Sequence, residues 1–321
     1  MRTRIAHAAL ALFVGATGMA TAQVREEMDV NPNKIHHRLN PWGVTSDAPT
    51  AGGTGQMTPA ITNHGGPVMA GAPAVHLIWY GNWNQANGSD TPAGQQIIRD
   101  LVGGLGGSTH LAINIGYTGS GGTAVSGNLG TVQEANVGYI SGARAKRLRD
   151  SDIKSIVSSY ISSHGGAQSN AVYFVLTSSD VNETSGFCTQ YCGWHTNGAI
   201  NGVDVKYSFV GNANRCLSGC AAQSVGPNGN AGVDGMASVL THELEEALSD
   251  PDLNAWYDAN GAENADKCAW TFGSAQHTAS NGASYNVTLT NPLNNATRNF
   301  LLQRNLKASD SKCYVNSLGQ Q

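Results

Sequence analysis

The sequence predicts one α/β (α+β) domain: a mixed sheet packed on a long functional helix, with a C-terminal half stapled by disulfides. Three observations predict it. Short β-branched and aromatic runs alternate with apolar stripes of helical period. From residue 61 onward there is no internal repeat and no second shift in composition, so residues 61–321 read as a single domain. All six cysteines fall between Cys188 and Cys313.

The elements follow in order. Residues 1–22 carry Arg2 and Arg4, an apolar run, and the small residues Ala20-Thr21-Ala22, which is the three-part layout of a signal peptide. Residues 23–60 contain Pro32, Pro41, Pro49 and Pro59 with no apolar period, and read as a flexible arm or removable pro-segment. His36-His37 in this arm reads as a solvated pair. Residues 75–80, Val-His-Leu-Ile-Trp-Tyr, form the first clear strand. Pro92–Leu105 places Ile97, Ile98, Leu101, Val102 and Leu105 on one helical stripe. Residues 116–130 are loop-like and lack the Gly-Lys-Ser/Thr ending of a phosphate loop, which excludes that mode of nucleotide binding. A second helix spans 149–163, a buried strand spans Ala171–Thr177, and a shorter strand spans 206–210.

Composition narrows the class of function. The formal net charge is −4 and no Lys/Arg run exists, so nucleic acid is excluded as a partner. After the leader no apolar stretch approaches the ~18 residues of a membrane span. An even cysteine count in an exported chain implies three disulfides, with localisation extracellular, or periplasmic in a bacterial host. Cys268 is paired with Cys313 in this reading, and the two C-x3-C elements, Cys188/Cys192 and Cys216/Cys220, staple each other or themselves. A four-cysteine zinc knuckle is the alternative.

The chemistry lies at 234–251, Asp-Gly-Met-Ala-Ser-Val-Leu-Thr-His-Glu-Leu-Glu-Glu-Ala-Leu-Ser-Asp-Pro. Asp234 reads as the N-cap, and Pro251 ends the helix by restricting Asp250. Met236, Leu240, Leu244, Ala247 and Leu248 share a core stripe, while His242 and Glu246, four apart, share another face. This is the geometry of the H-E-x-x-H zinc helix with Glu in place of the second His. His242 and Glu246 are thus candidate ligands of a single divalent ion, zinc first. Glu243 is the candidate catalytic base for a metal-bound water. Glu263 and Asp266, three apart, supply the remaining acid chemistry. One would bind metal and the other orient His242 through its second ring nitrogen, with Glu263 preferred as ligand. The bland reading is a helix with a wet acidic face.

Several motifs in order also carry a family resemblance. They are Asn63-His64-Gly65-Gly66-Pro67-Val68 before Leu77-Ile78-Trp79-Tyr80-Gly81-Asn82-Trp83, then Phe187-Cys188 with Cys192-Gly193-Trp194-His195. Val233-Asp234-Gly235-Met236 with His242-Glu243-Leu244 and Glu246 follows, then Asn254-Ala255-Trp256-Tyr257, then Ala265-Asp266 before Cys268. Together they resemble the Exordium family, also called phosphate-induced protein 1. The resemblance implies an exported protein of the kind associated in plants with the apoplast and growth, with no assigned reaction. It implies that Glu246 is the ligand and that Glu245 is a surface charge. His195, beside Cys192, reads first as structural and second as a metal or substrate contact. His64 reads as ordering its turn, and His76 as a satisfied core polar group.

Two functions compete. One is a secreted, zincin-like metallohydrolase of peptide bonds, with a peptide or cell-wall substrate and Glu243 as base. The other is a non-catalytic extracellular binding or signalling protein that keeps the metal helix as a structural element, which a closed metal site would favour. No G-x-S-x-G elbow supports a serine hydrolase.

Overall fold

Strand β1 (His36–Arg38) lies at one edge of a mixed sheet that continues through β2 (Ala74–Tyr80), β3 (Val132–Gly138), β4 (Ala171–Thr177), β5 (Tyr191–Ile200) and β6 (Val203–Gly211). The spatial order is β1-β5-β6-β4-β2-β3. The computed structural model describes residues 36–39 and 52–321, so the leader at 1–22 lies outside the described residues. Of the arm at 23–60, β1 pairs with β5, Met57 N donates to Ser311 O, and Gly53 O accepts from Arg304 Nη1.

Strands β2, β3, β4 and β6 run parallel, and β5 is antiparallel to both β6 and β1. Helix α1 (Pro92–Leu105) connects β2 to β3, and α2 (Asp150–Ser163) connects β3 to β4. Thr91 caps α1 by accepting from Gly94 N, and the fixed φ of Pro92 suits the first helical position. The continuous apolar runs of β2 and β4 follow from parallel strands being covered on both faces. One face carries His76 and Tyr173, which meet Tyr160 of α2. The other carries Trp79 under Arg99 of α1, and along the row Leu77–Phe174–Ser208 it carries His195.

Helix α3 (Ala231–Ser249) lies on this second face against β5 and β6. Gly193 on β5 permits the approach, because a Cβ there would stand 2.7 Å from Val239 Cγ1. Every residue of α3 from 236 to 249 is buried. The wet acidic face and the surface assignment of Glu245 are therefore both corrected: 3₁₀ turn Leu111–Gly116 and the chain around 258–268 cover the side turned away from the sheet. The N-cap is Asn230, not Asp234, and accepts from Val233 N. Asp234 sits in the first turn and clamps Asn228 by accepting from its backbone N and Nδ2. Pro251 ends the helix as expected, with Asp250 at the C-cap.

The sequence reading missed β3 and β5, and β6 is longer than the expected 206–210. It also missed a hairpin, β7 (Val287–Asn291) and β8 (Ala296–Phe300), which packs on α1. All six cysteines are bonded, as Cys188–Cys216, Cys192–Cys220 and Cys268–Cys313. The two C-x3-C elements thus staple each other, and the zinc-knuckle alternative falls. No helix among the described residues is long and apolar enough to cross a membrane.

Candidate metal centre

Three pieces of chain meet at the middle of α3. The helix brings His242, Glu243 and Glu246; strand β5 brings His195; the segment after Asp258 brings Glu263 and Asp266. That segment is tied down by its own side chains. Asp258 Oδ1 accepts from Asn260 N and Ala262 N, its other oxygen is ion-paired with Lys267, and Cys268 is tied to Cys313. Upstream, Asp250 Oδ1 accepts from Asn254 N and Ala255 N, which turns the chain back beneath the helix.

His242 Nε2 lies 3.0 Å from Glu246 Oε1 and 3.7 Å from Asp266 Oδ1. The i, i+4 pair therefore aims as the spacing requires. Asp266 stands at the same ring nitrogen as Glu246, and its own backbone N donates to Glu246 Oε1 at 3.0 Å. His195 completes a second grouping. Its Nδ1 is 3.2 Å from Glu243 Oε2 and 3.5 Å from Glu246 Oε2, and its Nε2 is 3.6 Å from Glu263 Oε2. The sequence reading set both Glu263 and Asp266 to serve the His242 site, but Glu263 faces His195 and only Asp266 faces His242. His195, read first as structural, is central to the cluster.

These groups are buried to 2% exposure or less, apart from Asp266, whose side chain is 19% exposed and forms the one edge open to solvent. Burial alone would depress the two imidazoles. The carboxylates around them, Glu263 first for His195 and Glu246 first for His242, reverse this and hold both well above the usual range. Burial raises Glu243 to about 7 and raises Glu263 and Asp266 as well. Glu246 is the exception: burial opposes its charge, yet His242 and His195 hold it below the usual carboxylate range.

Several buried atoms of the cluster have no hydrogen-bond partner: both Glu263 carboxylate oxygens, Glu243 Oε1, Glu246 Oε2 and His195 Nε2. Bare buried atoms also occur elsewhere, among them Thr177 Oγ1, Trp194 Nε1 and Glu183 Oε1, but four of the five bare carboxylate oxygens among the described residues lie in this cluster. His76 Nδ1 meets Tyr160 Oη at 3.1 Å, and His64 stacks on Tyr257 with Nε2 3.1 Å from its carbonyl oxygen. His64 thus has the quiet role read for it, whereas His76, read as satisfied, is so only at Nδ1, its Nε2 being buried without a hydrogen bond. Glu245 points away from the cluster, to Asn114 Nδ2 and His110 Nε2, each 3.5 Å from its Oε1.

A family model described as the phosphate-induced protein 1 conserved region matches residues 61–316. EXORDIUM-like 3 of Arabidopsis thaliana is 30% identical over 267 residues, covering 74% of this chain and 75% of the relative. PHOSPHATE-INDUCED 1 of Nicotiana tabacum is 28% identical over 299 residues, covering 78% of this chain and 86% of the relative. No solved structure matches this chain.

Proposed function

The chain belongs to the phosphate-induced protein 1 family, and we propose that it is an exported protein whose interior is organised by a bound divalent cation. The observation that carries this reading is the set of bare carboxylate oxygens around His195 and His242. A buried acid without a partner is costly, and a cation with imidazole and carboxylate ligands removes that cost. His242, Glu246 and Asp266 offer donors within 4.8 Å of one another. One imidazole with two carboxylates is a legitimate zinc set, and zinc is the cation we assign first. In this assignment Asp266 is a ligand, and Glu263 takes the supporting position beside His195.

The closed surroundings favour a structural role over hydrolysis. A hydrolytic site must admit its substrate beside the metal, and five of the six groups here are 2% exposed or less. Glu243, the base that a zincin-like peptidase would need, is fully buried with one oxygen facing His195. Export is supported by the three disulfides, which persist in oxidising compartments.

The test is elemental analysis of the dialysed protein beside a His242→Ala, Glu246→Ala variant of unchanged circular dichroism. Metal in the wild type and loss in the variant are expected. Wild type purified without metal and unable to take up zinc would overturn the reading. A peptide-library digest run in parallel separates the hydrolytic alternative: chelator-sensitive cleavage lost in Glu243→Gln would replace the structural role with a catalytic one.

A further inference from the structure

We infer that the cluster is a two-cation centre in which Glu246 is the bridging carboxylate, a proposal that rests on the cation-binding reading above. The two oxygens of Glu246 face different histidines. Oε1 lies 3.0 Å from His242 Nε2, and Oε2 lies 3.5 Å from His195 Nδ1. The donors accordingly divide into two compact sets, His242 with Glu246 and Asp266, and His195 with Glu243 and Glu246. Glu246 is common to both. No equally compact set among the described residues contains both histidines. One ion with ligands at ~2.0–2.2 Å spans at most ~4.4 Å between donors, so a single ion does not serve both rings in this arrangement.

The second set is the one that the H-E-x-x-E spacing does not supply, and it is also where the unsatisfied atoms concentrate. Glu243 Oε1, Glu246 Oε2, His195 Nε2 and both oxygens of Glu263 are buried without a hydrogen bond. Glu263 is 2% exposed and directs Oε2 at the His195 ring from 3.6 Å. A carboxylate beyond the second ring nitrogen is the arrangement that fixes a ligating histidine, leaving its other nitrogen for a cation.

Charge points the same way. Glu243, Glu246, Glu263 and Asp266 carry four negative charges when ionised, and neutral ligating imidazoles carry none. One divalent cation would leave two negative charges uncompensated in the interior, whereas two cations cancel them. Four carboxylates and two imidazoles are also the donor inventory of dinuclear carboxylate centres in helical bundles, and bridged ions in two-metal sites stand ~3.5–4 Å apart. Here the same inventory is assembled from one helix, one strand and one loop.

The test is loading stoichiometry on the full exported chain with its disulfides intact, stripped by chelator and titrated with zinc. Two zinc ions per chain are expected in the wild type and one in His195→Gln. Electron paramagnetic resonance of the wild type loaded with manganese gives an independent readout, with an exchange-coupled pair signal expected. One zinc in the wild type, unchanged in His195→Gln, would overturn the two-cation centre and leave the single-cation reading standing. Two ions retained by a folded His195→Gln, or only isolated manganese signals, would overturn it likewise. No zinc at all would overturn both. The manganese spectrum needs no variant, so an unfolded His195→Gln does not remove the test.

Discussion

Glu243, Glu245 and Glu246 stand within four positions, and their type and spacing suit a solvated helix face; all three are buried. Residue identity could not distinguish these environments, because exposure is decided by what covers the helix from far along the chain. Glu245 meets His110 and Asn114, and Glu246 meets Asp266, none of them a helical neighbour. The i, i+4 relation of His242 and Glu246 was legible because it is local. The partnership with His195 was not, because it depends on sheet register. His76 supplies a prediction at this scale. Burial lowers its pKa from 6.5 to about 4, so the neutral ring is the native form. Between those values the unfolded chain binds the proton and the native protein does not, so stability is full above about 6.5 and is lost as pH falls toward about 4. His110, also lowered to about 4 by burial, acts in the same sense. His76→Phe keeps a ring against Tyr173 and should lose less melting temperature than wild type between about pH 7 and about pH 4.5. Equal losses in thermal melts would assign the acid sensitivity elsewhere.

Strands with unbroken apolar runs, such as Ala171–Thr177, were legible because two-sided burial writes itself into composition. Strand β5 was not, since Gly193, Thr196, Asn197 and Gly198 interrupt any alternation. A signal was nevertheless present. Asn201-Gly202, both at positive φ, make the two-residue turn joining β5 to β6, and Asn-Gly is a strong hairpin marker. Reading it would have placed His195, the fifth residue of the ten-residue strand, on the face toward α3 only if the register were also known. The contact between β5 and α3 turns on Gly193. A Cβ there would lie 2.7 Å from Val239 Cγ1 and 3.0 Å from Phe209 O, so Gly193→Ala must push the helix from the strand. Overpacking of this kind costs ~1–3 kcal/mol. Zinc affinity should fall with stability, because the same displacement separates His195 from Glu243. Val239→Ala should restore part of both in a double-mutant cycle by denaturant titration. A stable Gly193→Ala with unchanged zinc affinity would show that the helix does not need this close approach.

Across the whole molecule, the last third of the chain returns to close the centre that α3 opens. The Asp266 loop is fixed to β9 (Asn305–Lys307) and the strand after it through Cys268–Cys313, and Tyr117 Oη donates to Leu306 O from the other side of the core. Cysteine count and compartment made the bridges legible, and the Cys268–Cys313 pairing was among those expected. The function of that pairing was not, because it depends on Asp266 lying two positions from Cys268 and donating its backbone N to Glu246. A bridge closing 45 residues should contribute ~2–4 kcal/mol through the unfolded chain. Replacing Cys268 and Cys313 together with alanine should therefore lower stability by about that amount. It should also weaken zinc binding at temperatures where the variant is still folded, since the acid loop loses its anchor while His242 and Glu246 keep theirs. The comparison that isolates this effect is replacement of Cys188 and Cys216, whose bridge spans 28 residues and holds no residue of the acid loop. Matched losses of stability with zinc affinity reduced only in the Cys268/Cys313 variant are expected. Equal zinc affinities in the two variants would mean that Asp258 and Lys267 hold the acid loop without the disulfide.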